Sequence, residues 1–193
     1  MGKVSSTRQT SRADWLAEAL RVLEKGGVAA VRIDRLARNL GTSRSGFYWH
    51  FADRAELLRA ILEYWSGAYT GIVTGDSEIV ALPPHARLAR IADMIAAHGL
   101  SRYEIAMRAW AAHDRDVERA VRRVYGERCD FVRRAFQELG FRGIDLDIRA
   151  RLFLAYHTWE RAMFEDGSPE EQARRVAAEL DLLTGSGDGP GES

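Results

Sequence analysis

The stretch IDRLARNLGTSRSGFYWHF, from Ile33 to Phe51, constrains this chain more than any other. Ile33, Leu36, Ala37 and Leu40 recur at i, i+3, i+4 and i+7, which sets them on one face of a helix. Gly41 follows the last of them, where a helix ending in left-handed geometry prefers glycine. Thr42 and Ser43 then offer side-chain oxygens to cap a second helix, which closes on an aromatic and basic run. Two helices joined by so short a corner form a helix-turn-helix, whose second member is narrow enough to enter the major groove of DNA. Phe47 and Phe51, four residues apart, are expected to fill the core of this head rather than face a partner.

A chain of 193 residues with 46% hydrophobic content can bury a substantial core, as one domain or as a small one joined to a larger one. No apolar run approaches the ~20 residues that span a bilayer, and the opening MGKVSSTRQTSR lacks the apolar centre of a secretory signal. The single cysteine, Cys129, leaves no internal disulfide framework and fits a reducing compartment, so a cytoplasmic location is expected. Cys129 shares a helical face with Tyr125, Val132 and Phe136, the position of a packed thiol. His85, His98, His113 and His157 stand apart, with no HxxxH or HxxE pair to bind a metal. A Gly-rich phosphate loop, a GxSxG elbow and HExxH are all missing from the sequence. The expectation is therefore a protein that is not an enzyme and has no metal or built-in cofactor.

Net charge is zero, but its distribution is not even. Residues 1–54 hold ten Lys/Arg against five Asp/Glu, and because the whole chain has 28 of each, the remainder is acidic by the same five. A basic head on an acidic body is expected when one end faces phosphates, although a solvated basic surface has the same footprint.

Few prolines and few strand-like alternations predict an all-α fold of about nine helices. Residues 1–10 read as a flexible basic arm, 11–52 as the three-helix head, 53–184 as a larger helical body, and 185–193 as a flexible tail. A first helix starts at Ser11 with Asp14 as an imperfect capping box, buries Leu16, Ala19, Leu20 and Leu23, and stops at Gly26-Gly27. Asp53 caps a long fourth helix carrying Leu57, Leu58, Ile61, Leu62 and Trp65, followed by a loop over 71–84. Further helices are predicted over 85–97, 101–112, 116–139, 145–165 and 169–183, the last introduced by Ser168-Pro169-Glu170-Glu171. The 101–112 helix has apolar groups on both sides, which predicts a helix surrounded by others; Glu104 and Arg108 read as a surface i, i+4 ion pair.

Over residues 11–65 the chain resembles the TetR family of bacterial transcriptional regulators. The residues that carry the likeness are Ala19 with Leu23, Gly27, Ile33-Asp34, Leu36-Ala37 and Leu40-Gly41-Thr42-Ser43-Arg44. Phe47-Tyr48-Trp49-His50-Phe51, then Asp53-Arg54 and Leu57-Leu58, complete the pattern in order and at the right spacing. The resemblance implies that Thr42, Ser43, Arg44 and Ser45 begin a recognition helix, holding phosphate while Arg44 reaches a base or phosphate. It also implies phosphate contacts from Tyr48 and His50, packing of Trp49 on sugars or a thymine methyl, and a phosphate beside Arg54. Two positions depart from the family pattern. Arg32 stands where Ser or Thr usually caps the second helix, and Ser45-Gly46 reverses the usual Gly-Ser/Thr order. Glycine inside a helix costs ~1 kcal/mol relative to alanine. Either Gly46 lets the backbone approach DNA closely, or the helix orders on binding, or the swap is neutral.

The body carries an aromatic set that either lines a cavity or packs a solid core: Tyr103, Met107, Trp110, Phe153, Tyr156 and Trp159. Met94 and His157 are further lining candidates. The family resemblance raises the expectation of an effector site but names no ligand. A single head makes few contacts, whereas two heads ~34 Å apart read two half-sites of a palindrome. Val176, Leu180 and Leu183 in one helix, and Leu152, Trp159 and Met163 in another, form stripes suited to a homodimeric four-helix bundle. The resulting reading is a homodimeric regulator, a repressor released from double-stranded operator DNA by a small-molecule effector. A constitutive regulator without effector and a protein-interaction module are the alternatives.

Overall fold

The computed structural model describes residues 10–164 and 168–185, and the side chains of all of these except 68–70, 72, 73 and 160–162. The expected arm up to residue 9 and the tail from 186 onward lie outside the described residues. Among the described residues there are ten helices and no strand, one helix more than the sequence predicts.

The head consists of α1 (Arg12–Ala30), α2 (Ile33–Asn39) and α3 (Arg44–Tyr48), and α4 (Arg54–Thr74) leads out of it. Ser11 and Asp14 do form a reciprocal capping box: the Asp14 N–H donates to Ser11 Oγ at 3.2 Å and the Ser11 N–H to Asp14 Oδ2 at 2.8 Å. Gly27 breaks α1 with φ 67°, which a side chain would resist, and the remaining turn leads into α2. Trp15, Leu23, Leu36, Phe47 and Phe51 are fully or almost fully buried between the three helices, and Leu57, Ile61 and Trp65 of α4 close the same core.

The extra helix is α5 (Ser77–Ala81), within the stretch expected as a loop. Asp76 accepts from the Glu78 N–H at 2.8 Å and from the Ile79 N–H at 3.4 Å, and Ile79 is buried. The Gly75-Asp76 pair is thus one helix's end and the next helix's cap. The body continues with α6 (Pro84–His98), α7 (Glu104–Ala111), α8 (Arg115–Glu138), α9 (Gly143–Met163) and α10 (Pro169–Thr184).

Helix α8 is the spine of the molecule. Val117, Val121 and Val124 of its first half join the head-side core, while Phe131, Val132 and Phe136 of its second half join the body core with α6, α9 and α10. Helix α7 packs on α1 as well as α8, so the head-side core runs on into the body. Helix α7 is nevertheless not surrounded: Ala106, Met107 and Trp110 are buried, but Ile105 is 53% exposed. No helix among the described residues is long and apolar enough to cross a membrane.

Candidate nucleic-acid interface and body cavities

The corner between α2 and α3 is fixed by backbone geometry. The Gly41 N–H donates to Arg38 O at 3.2 Å and the Thr42 N–H to Ala37 O at 3.0 Å, the paired closure that a left-handed Gly41 (φ 64°) permits. Ser43 then caps α3, its Oγ accepting from the Gly46 N–H at 3.3 Å and lying 2.7 Å from Ser45 Oγ. Phe47 points the other way, edge-on to Trp15 at 5.3 Å and stacked on Phe51 at 5.4 Å. A five-residue helix is too short to hold itself, so this buried ring sets its orientation.

The outward face of α3 carries Arg44, Ser45 and Tyr48, with Trp49 just beyond it; Tyr48 is 52% and Trp49 83% exposed. Thr42 sits half-buried in the corner. Arg44 Nε lies 2.8 Å from Asp34 Oδ1 of α2, both side chains well exposed. Such a pair is worth ~0–1 kcal/mol, so a phosphate or base edge can take the guanidinium from Asp34 at small cost. Arg32 is exposed at the start of α2 and makes no side-chain cap, as its residue type predicts. A Cβ at Gly46 would meet Thr42 Oγ1 at 3.3 Å, a tight contact that gives the glycine a local reason.

Two expected phosphate ligands are employed differently. Arg54 donates from Nε to Val31 O and from Nη2 to Val28 O, each at 2.6 Å, and so clamps the carbonyl end of α1 to the start of α4. Its charge answers the negative end of a helix. His50 has Nε2 at 2.8 Å from Thr10 O, which ties the entry of the chain to the end of α3. Glu18 performs a related task between α1 and α2, accepting from Arg21 and from Asn39 Nδ2 at 2.6 Å. The Arg21 hydrogen bond holds the Glu18 carboxyl below its usual range.

In the body the expected pocket separates into core and cavity. Tyr103, Met107 and Trp110 pack into the head-side core and Met94 into the body core, because α7 and α6 turn those faces to neighbouring helices. Phe153 and His157 do line a chamber, together with Ile91, Ile95, Phe131 and Leu154, but it holds only about 40 Å³. Tyr156 and Val176 border a smaller recess of about 20 Å³. His157 Nε2 lies 3.4 Å from Glu179 Oε2 behind this chamber.

The polar wall of the chamber was not legible as such. Glu104 is 1% exposed and takes no part in a surface pair with Arg108. It accepts from Arg128 Nη1 at 2.6 Å and from Tyr125 Oη at 2.5 Å, and Arg128 in turn lies 5.2 Å over the Trp65 ring of α4. Burial, with Glu104 beside it, pushes the Tyr125 hydroxyl far up, so it remains a donor. An i, i+4 spacing could not disclose this, since the true partner is on another helix. On the far side of Tyr125 an open groove of about 900 Å³ runs between α7, α8 and α9.

Of the residues proposed for a dimer face, Leu152 and Met163 are 52% and 68% exposed and Trp159 is half-buried. Leu180 and Leu183 are 3% and 6% exposed, and Val176 packs beside them against the chain's own core. The α10 stripe is consumed internally because α10 lies against α6. The exposed apolar side chains here are instead Ile144, Ile148, Leu152 and Met163 of α9 and Leu182 of α10.

A small helix-turn-helix head carried on a larger bundle of helices defines the class of protein. Residues 16–61 match the model of the family described as bacterial regulatory proteins, tetR family. Over these residues the chain is similar to that family. It is 38% identical over 55 residues to the HTH-type transcriptional regulator TtgR of Pseudomonas putida, a stretch covering 28% of this chain and 26% of that protein. The likeness thus spans about a quarter of that relative's length. The whole fold is similar to that of AibR, solved in complex with isovaleryl coenzyme A and operator DNA (TM-score 0.69, 21% identity, 90% of this chain and 97% of that one). It is also similar to FadR from Bacillus subtilis, solved with stearoyl-CoA (TM-score 0.66, 12% identity, 91% and 98% covered).

Proposed function

We propose that the chain is a DNA-binding transcriptional regulator acting as a homodimer in the cytoplasm. The observation that carries this reading is the α3 surface. Arg44, Ser45, Tyr48 and Trp49 face outward from a helix whose aim is fixed by the Gly41 closure and the buried Phe47. In this reading Arg44 leaves Asp34 for a base edge or phosphate, Tyr48 and the hydroxyls of Thr42, Ser43 and Ser45 hold the backbone, and Trp49 packs on sugar. Arg32 adds a phosphate contact from the start of α2. The exposed α9 face, with Leu182, pairs two copies so that their heads meet successive half-sites of a palindrome.

The protein acts as a repressor, and a small molecule bound in the body lowers its DNA affinity by favouring a head spacing that does not fit the operator. The bound ligands of AibR and FadR support an effector-responsive body of this fold. The test is fluorescence anisotropy with the DNA flanking the gene, at two salt concentrations and against random competitor. Specific binding that weakens steeply with salt is expected, and Arg44→Ala should lower the salt slope by about one. Binding no tighter than to random DNA, across the flanking region, would overturn the reading.

A further inference from the structure

The chamber behind Phe153 is too small for an organic effector, for which ~300–1,000 Å³ is usual. The open groove of about 900 Å³ is not. Small residues, Ala111, Ala112, Gly126 and Ala155, line it together with the aromatic Tyr125 and Trp159. Three guanidiniums line it, Arg108, Arg122 and Arg151, against one carboxylate, Glu118. Glu118 is already spent on Arg122, at 2.5 Å. Among the described residues neither Arg108 nor Arg151 is paired with a carboxylate.

Arg108 is also held in a particular way. Its guanidinium lies 5.0 Å over the Tyr125 ring and 5.9 Å over the Trp159 ring. Stacking fixes the plane of an arginine but occupies only its faces, so the in-plane N–H fork remains available to a carboxylate or phosphate. Arg151 stands close to Cys129 in the same groove; burial pushes that thiol up, against the opposing pull of this guanidinium. A stacked guanidinium, a second cation and a lining of small and aromatic residues favour a ligand with a matching charge and shape.

We propose that the groove between α7, α8 and α9 binds an organic anion built on a planar ring, its carboxylate or phosphate on Arg108 and Arg151 and its ring among the small lining residues and Trp159. The assignment names the effector class for the regulator proposed above and rests on that reading for its role, though not for binding itself. The groove also adjoins the link to the head: Tyr125 forms its wall and donates to Glu104, whose partner Arg128 lies over Trp65 of α4.

The test is calorimetric titration of the full-length protein, without DNA, using benzoate and adenosine monophosphate, each beside its neutral counterpart, benzamide or adenosine. Inorganic phosphate serves as the ringless control. At least one ring-bearing anion should bind, and its neutral counterpart and phosphate should each bind about tenfold or more weakly. Arg108→Gln and Arg151→Gln should each weaken that anion about tenfold. Arg119→Gln, an equal charge change on an exposed residue outside the groove, should alter it by less than about twofold. Preference for benzoate or for the nucleotide decides whether the natural anion is a carboxylate or a phosphate. The proposal is overturned if neither anion binds at millimolar concentration, if a neutral counterpart binds as well as its anion, or if both groove variants match the parent. Anion binding that leaves operator affinity unchanged would keep the site and remove its effector role.

Discussion

Arg54 shows how one side chain can have a structural task that its sequence position does not disclose. From sequence it is a cation beside a helix N-terminus; in the fold it donates two short hydrogen bonds to the carbonyls of Val28 and Val31. Arg54→Ala should lower the urea unfolding free energy by about 1.5–3 kcal/mol, the range for hydrogen bonds from a charged group. Arg54→Lys should not restore it, because an ammonium cannot reproduce the fork. Glu18 gives a pH signature of its own. Its folded pKa is held down by Arg21, so its contribution is full above the unfolded value and is lost as pH falls through the folded one. Urea midpoints should therefore drop less for Glu18→Gln than for the parent between about pH 6 and about pH 3.

Elements were legible wherever the signal is local. Ser11 with Asp14, Gly41 with Ser43, and Ser168 with Glu171 each sit within a few residues of the backbone groups they satisfy, and each works as the spacing predicts. Gly41→Ala should cost about 1–2 kcal/mol, since φ 64° forces a side chain into left-handed geometry; thermal unfolding measures it. What stayed hidden was the choice of neighbour. Tyr103, Met107 and Trp110 are as aromatic as a pocket lining, but α7 turns them onto α1 and α8. Glu104 has a tempting local partner and a real one 24 residues away. Helix α5 is not legible in the sequence because Gly75-Asp76 is equally good punctuation for a loop.

For the whole molecule, the same limit decides which apolar stripe faces outward. The α9 and α10 stripes look alike in sequence, yet Leu152 is exposed while Leu180 is buried against the chain's own core. Leu152→Glu should leave a folded protein that sediments as a monomer and has lost cooperative operator binding. Leu180→Glu should instead unfold, as a charge placed in a closed core costs several kcal/mol. If both variants remain dimeric and stable, the α9 face is not the interface. The contrast also shows why the head was the more legible part: short helices joined by a fixed corner leave few packing choices, whereas a body of six helices leaves many.

The placement of the tryptophans provides an optical consequence. Trp15 and Trp65 are wholly enclosed and Trp110 nearly so, Trp159 is half-covered, and Trp49 stands 83% open to water at the tip of the head. Acrylamide should therefore extinguish one red-shifted emission component ahead of the rest, and Trp49→Phe should abolish it. A bound duplex should shield that component, turning a native indole into a label-free gauge of occupancy.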